Sequence, residues 1–434
     1  MPFFRLFFGV LLIFLAQVSF AQLPNQAFYT KDDKVEVSVG PTQIPGMIVC
    51  GDFYSIYAYP KGYLELNIKT LGFFKDNEYF NKIADGYTLF GYQLNPSLQY
   101  YASEKIRIEA GALLLKDFGN NKYKLIQPTF TATFSTGNHT VLFGTLYGNL
   151  NFGYIEPLWD FERQLTKPVQ NGIQYIYKGR KLDLQTWVDW QVMQYEFDTK
   201  QEEIAGGFIS NINLLEKQNI LTDVVADGVI ISQRNQIKKI SIPIQFTAKH
   251  KGGQIDINDR PLTTIFNGAI GIEASKSLSD ETSGIFSEKY NQRKPFLKSL
   301  YTKNYFVAYN DHSFTHQLPF QSGSGIYLNA GADTRWANFM LSYWHGNGYI
   351  SEFGGKLYQS ASTTVHNPTY VEKKRDLLML RVMKDWNAGD GLTFTGRLEP
   401  FYDFTTNSTE FSAGLYLNFN TDFYLTKLKR NSTN

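Results

Sequence analysis

The chain has 434 residues and a formal net charge of +2, with 16% aromatic residues, 28 Tyr, 35 Phe and a single Cys. One cysteine excludes a disulfide-stapled scaffold, and so small a charge excludes a basic nucleic-acid surface. The mean hydropathy of −0.28 reads as soluble, but that index fails for barrels, where half of each strand faces a polar interior.

Residues 1–21 read as a cleaved export signal. Arg5 supplies the positive start, Phe7 to Leu15 the apolar stretch, and Ser19 and Ala21 the small residues before a cut after Ala21. Cys50 does not follow the signal, so no lipid-anchored N-terminus is expected. No segment of the remaining chain is apolar for long enough to make a transmembrane helix. Residues 22–434 read as one domain. Within it, Gln22 to Phe80 holds two short strand candidates, Val35 to Val39 and Tyr63 to Ile68, around a Gly/Pro cluster. That stretch is open to three readings: first barrel strands, periplasmic extension or plug.

Strong alternation begins at Phe90. Phe90, Tyr92, Leu94, Leu98 and Tyr100 alternate with Gly91, Gln93, Asn95, Ser97 and Gln99, a strand with one apolar and one wet face. Ile106 to Leu114 continues it as a hairpin partner, with Arg107 and Glu109 on the polar side. Further stripes follow at Gln127 to Ser135, Leu182 to Trp190, Ile240 to Ala248, Leu392 to Asp403 and Phe411 to Phe419. Weaker ones lie at Val141 to Leu150, Ile173 to Lys178, Ile265 to Ala274, Ile326 to Asp333, Phe339 to Trp344 and Leu377 to Met383. Turn signals at Ser103-Glu104, Gly137-Asn138, Gly179-Arg180 and Asn387 to Gly391 separate them. Glu196 to Lys239, with a helical patch at Leu214 to Ile220, and Lys276 to Asn310 lack the pattern and read as long loops.

Ten-residue dyad strands in an exported chain predict an all-β fold, a transmembrane antiparallel up-and-down β-barrel of about 14–16 strands in an outer membrane. The Tyr-, Phe-, Asn- and Lys-rich texture resembles the porin-like outer-membrane barrels of Bacteroidota. Such barrels commonly finish on an aromatic residue. Here Phe419 or Phe423 takes that place, and a tail runs on through Lys427, Lys429 and Arg430.

If the apolar faces meet lipid, Arg107, Glu109, Asp183, Asp189, Arg381, Arg397 and Glu399 point inward as candidate lumen-lining residues, because a charge at the lipid midplane costs about 2–4 kcal/mol. Mixed charge of this kind suits either a solvated pore or a closed, paired interior. The six histidines are His139, His250, His312, His316, His345 and His366. His312 and His316 have a ligand spacing but lack the intervening Glu of zinc proteases, so no metal and no cofactor are expected. His250 to Gln254 reads as a hairpin turn, with Gly252 and Gly253 supplying positive φ. Tyr343 to Tyr349, with Ser342 and Ser351 nearby, invites comparison with outer-membrane lipolytic barrels, which place a His and a Ser at the membrane edge. It lacks their Ser pattern and reads as an aromatic girdle before a Gly-Asn-Gly turn.

The leading expectation is a non-enzymatic channel that passes small solutes. The alternative is a closed barrel serving surface binding or assembly. Less favoured are a membrane-edge enzyme acting on lipid or lipopolysaccharide, and a soluble secreted β protein. Expected partners are outer-membrane lipid and lipopolysaccharide, small solutes, and a second copy or another outer-membrane protein, with no nucleic acid.

Overall fold

The computed structural model describes residues 61–146, 153–225, 229–257, 260–278, 296–389 and 391–428, together with two isolated strands, β1 (Val35–Val39) and β2 (Tyr54–Ala58). The export signal lies outside the described residues. β1 and β2 pair antiparallel in a sheet of their own.

Sixteen strands close into one antiparallel barrel. In chain order they are β3 (Tyr63–Glu78), β4 (Tyr87–Ser103), β5 (Ile106–Asp117), β6 (Leu125–Thr136), β7 (His139–Thr145), β8 (Asn171–Lys178), β9 (Leu182–Val192) and β10 (Glu203–Val225). They continue with β11 (Val229–Lys251), β12 (Thr263–Ser277), β13 (Leu297–Asp311), β14 (Ser322–Thr334), β15 (Asn338–Asn347), β16 (Lys374–Gly389), β17 (Leu392–Asp403) and β18 (Ser408–Lys427). Each strand pairs with the next, and β18 pairs with β3 to close the ring. Closure leaves no open edge, the condition for a sheet in lipid.

The alternation works inside out. Phe90 is 51% exposed while Gln99 of the same strand is 4% exposed. Phe130, Phe143, Ile173, Ile270, Phe306, Leu341, Leu398 and Leu417 likewise face outward. The hairpin expected from Leu98 and Ile106 onward is present, with Leu98 opposite Ala110 and Tyr100 opposite Ile108.

Short turns at 104–105, 137–138, 179–181 and 335–337 share one end of the barrel, and long connections at 146–170, 312–321 and 348–373 share the other. In outer-membrane barrels short turns are periplasmic and long loops extracellular, which orients this one.

Four expectations need correction. Glu196 to Lys239 is not a loop with a helical patch but much of the β10–β11 hairpin. β9 pairs with β10 only as far as Ile212, and β12 with β11 only from Lys238. The stretch between stands beyond the wall, where no single face meets lipid, so no stripe is selected. Lys276 to Asn310 shrinks to a connection at 278–296. β13 escaped notice because its inward residues Tyr301, Tyr305, Val307 and Tyr309 are as apolar as its outward ones. His250 to Gln254 is no tight hairpin: Gly252 has φ +105, but the connection continues to Thr263. Trp344 is not a girdle residue. It points inward and is fully buried.

The interior is not a water-filled tube throughout. Residues 153–170, which include a one-turn helix α1 (Arg163–Thr166), cross it. The Ile155 N–H donates to Gln245 Oε1 on β11, and Gln93 on β4 donates to the Gln164 carbonyl. β4 and β11 stand on nearly opposite walls, so the segment spans the barrel. The 348–373 connection folds in beside it: Asn267 on β12 donates to the Ile350 carbonyl and Arg375 on β16 to the Leu357 carbonyl. Tyr154, Trp159, Phe353 and Tyr358 from these segments pack with Trp187, Tyr305, Tyr327 and Trp344 from the wall in one apolar core. This core is what the aromatic inward residues bury.

Candidate functional site

Two polar constellations stand out, one inside the barrel and one on its outer wall.

Inside, strand periodicity puts Arg381 of β16 and both Arg397 and Glu399 of β17 on the interior face. Arg381 Nε donates to Glu399 Oε1 at 2.8 Å and Arg397 Nη2 to the same oxygen at 2.6 Å. Arg381 Nη1 donates to Ser342 Oγ at 2.7 Å. The residue that completes the cluster is Glu156 of the crossing segment. Its Oε1 accepts from Arg397 Nη2 at 2.8 Å, and its Oε2 accepts from Arg381 Nη2 and from the Tyr358 hydroxyl, the latter at 2.7 Å. Lys75 of β3 stands 3.5 Å from both Glu162 and Glu399 and donates to Ser412 Oγ. A cavity of about 50 Å³ lies beside this cluster, lined in part by Lys75, Glu156, Asp160, Tyr358, Arg381 and Glu399. Ion pairs this deeply buried hold only when every member is partnered, so the cluster locks the crossing segment to β16, β17 and β3. Asp160 sits in the same segment, where its Oδ1 accepts from the Glu162 N–H at 2.9 Å. Burial, with the Glu162 carboxylate close by, pushes its carboxyl up to about 7.

Of the seven candidate lumen residues, then, the structure brings together Arg381, Arg397 and Glu399. Arg107 is buried near the periplasmic end, with Nη2 3.8 Å from half-buried Glu109. Asp189 is buried near the extracellular end, accepting from the Asn171 N–H and the Gln191 amide. Asp183 shares its strand face and is half-buried. Neither pair joins the central cluster. Glu156, Lys75 and Tyr358 were missed because nothing local marks them. The available signal was the run Tyr154 to Phe161, too apolar for a solvent loop and without strand alternation.

On the outer wall, His345 Nδ1 lies 2.7 Å from Asp376 Oδ1, and the Tyr343 hydroxyl donates to that same oxygen at 2.7 Å. The two side chains are 38% and 30% exposed. His345 and Asp376 are directly opposite in the β15–β16 ladder, at the extracellular end and on the face shared with Leu341 and Leu378. Asp376 fixes the proton on Nδ1 and leaves Nε2 as an acceptor. Ser342 and Ser351, the hydroxyls expected near this histidine, are elsewhere. Ser342 is odd by three positions from His345, hence on the opposite face of the strand, and Ser351 is buried in the inward-folded connection. His316 Nδ1 is 3.4 Å from Asp311. Among the described residues no group of three His, Cys, Asp or Glu side chains is placed to hold a metal.

A family model described as lipid A 3'-O-deacylase-type matches residues 56–428. Comparison with curated proteins finds no match. Among solved structures, OccK3 (OpdO) of Pseudomonas aeruginosa is 10% identical over 84% of this chain and 96% of its own, with a TM-score of 0.41. The BenF-like porin of Pseudomonas fluorescens Pf-5 is 9% identical over 83% and 99%, with a TM-score of 0.43. These two likenesses carry no functional argument. The family match overturns the expectation of a non-enzymatic barrel, since it spans the whole ring of strands and the family is named for an enzyme.

Proposed function

The chain belongs to the lipid A 3'-O-deacylase-type family, and from that premise we propose that it hydrolyses an acyl ester of an outer-leaflet lipid on the outer wall of β15 and β16. The observation that carries this reading is the His345–Asp376 pair, a polar dyad on the outward face of β15 and β16 near their extracellular ends. The ladder sets Ser324 diagonally from His345, because Ile326 is its direct partner. The direct ladder partners of His345 are Ile326 and Asp376, neither of which carries a hydroxyl, and the proposed nucleophile is water.

His345 Nε2 takes a proton from that water as its oxygen attacks the ester carbonyl carbon. The tetrahedral intermediate then collapses by breaking the bond to the alcohol oxygen, which receives the proton back from His345. The products are a free fatty acid and the deacylated lipid alcohol. Asp376 stabilises the imidazolium formed between the two steps. The test is incubation of the refolded protein with purified lipid A, read by mass spectrometry. Loss of one acyl chain is expected, and His345→Ala should slow it by about 10²–10⁴-fold. Intact lipid A after incubation with folded protein, or undiminished release by His345→Ala, overturns the reading.

A second reading, passage of small solutes, is favoured by barrel size: sixteen strands enclose an interior wide enough for an aqueous path, and much of its wall is polar. The crossing segments then act as the constriction. Planar-bilayer recording tests it. Steady openings that scale with bulk salt support a path past the segments, and silence from folded protein removes it.

A further inference from the structure

We infer that Arg381 and Arg397 of the interior wall and Tyr358 of the inward-folded connection form a carboxylate-binding site, that Glu156 is its resident occupant, and that a small free carboxylate takes the same place when the Glu156 carboxylate is absent. The inference does not depend on the hydrolase reading, which concerns the opposite face of the wall.

Three observations carry it. The first is donor geometry. Each oxygen of one planar carboxylate has its own guanidinium, Arg397 on Oε1 and Arg381 on Oε2, and the Tyr358 hydroxyl adds a second donor to Oε2. Charge-assisted hydrogen bonds from two directions recognise a two-oxygen planar anion better than a spherical one.

The second is preorganisation. Arg381 is held by Ser342 and Glu399, and Arg397 by Glu399, through bonds that do not involve Glu156. Both guanidiniums therefore keep their places when the occupant leaves, so a ligand does not bear the cost of ordering them. The adjoining cavity of about 50 Å³ gives the carbon attached to a free carboxylate somewhere to sit.

The third is charge. Glu162 and Glu399 are the other carboxylates within ion-pair distance of the cluster's cations. Without Glu156, the three cations Lys75, Arg381 and Arg397 face two carboxylates, Glu162 and Glu399. A buried excess of cations demands an anion, and the vacated position has the shape of a carboxylate.

Acetate is the fragment that Glu156→Ala removes, which makes complementation the experiment. The refolded variant is titrated with sodium acetate and, at equal ionic strength, sodium chloride, and its unfolding temperature is read by loss of heat-modifiable gel mobility. The expected result is an unfolding temperature below wild type that climbs progressively with acetate, as linked binding requires, and not with chloride. Wild type, with the site already filled, should show no such climb. Adding Arg397→Gln to the variant should abolish it. Folded Glu156→Ala that ignores acetate overturns the proposal, as does an equal response to chloride or an equal response by wild type. If Glu156→Ala does not fold, Glu156→Gln replaces it. Its neutral amide is a poor occupant that acetate should displace, with the same climb expected and its absence equally decisive.

Discussion

A single carboxylate shows how buried charge is tolerated in this barrel. Glu156 is almost fully buried, and removing one partner from such a cluster leaves the others uncompensated, at a cost of about 3–5 kcal/mol. The Tyr358 hydroxyl is a smaller element of the same clamp. Tyr358→Phe keeps the ring in the aromatic core and deletes the bond to Glu156 together with the one the hydroxyl accepts from Arg381, so about 1.5–3 kcal/mol of stability should be lost, measurable by urea unfolding in detergent. Asp160 gives the segment a pH response. Its folded carboxyl titrates near 7, above the usual value of about 4 in an unfolded chain. Between those values the folded segment holds a proton that the unfolded chain has released, so its stability is greatest at the acid side and falls as pH rises towards 7. Hydrogen exchange across residues 153–170, corrected for intrinsic rate, should therefore be better protected at pH 5 than at pH 8, and Asp160→Asn should flatten that difference. On the outer wall, Asp376→Asn removes the charge that stabilises a protonated His345, and acyl release should fall at least tenfold. An unchanged rate would detach Asp376 from the chemistry.

At the scale of elements, the strands differ in how much they can be altered. The β10–β11 hairpin runs past both of its neighbours on the periplasmic side. Replacing residues 216–236 by a two-residue turn removes no pairing to β9 or β12 among the described ladders, so the shortened protein should still fold to a heat-modifiable barrel. Loss of that signature would show that the extension takes part in assembly. The short strand β7 is the opposite case. Gly144 has φ +104, and a Cβ there would stand 2.2 Å from the Phe130 carbonyl oxygen of β6. Gly144→Ala should cost about 1–3 kcal/mol, seen as a lowered unfolding temperature, because both the backbone conformation and the space are denied to it.

For the whole molecule, lipid and interior impose unequal constraints, and this decided what the chain disclosed. Lipid offers no partner to a polar group, so the outward positions of a spanning strand are apolar for the most part, and in a strand that demand falls on every second residue. Phe90 to Tyr100 and Leu392 to Asp403 obey it and were legible one segment at a time, as were the barrel class and the approximate strand number. Once the outward face was known, the inward direction of Arg381, Arg397 and Glu399 followed. The interior imposes no such period. It accepts Gln99, Tyr305 or Lys303 alike, provided something else in the barrel satisfies them, and that partner need not be near in sequence. Glu156 lies 225 residues from Arg381 and 241 from Arg397. Asp376 lies 31 residues beyond His345 and becomes its neighbour only through the β15–β16 register. The sequence by itself thus determined the side of the wall that meets lipid, because that environment acts on each strand locally. Only the tertiary structure decided what fills the barrel and which charges meet, because those pairings arise from closing the ring and folding two extracellular connections back through it.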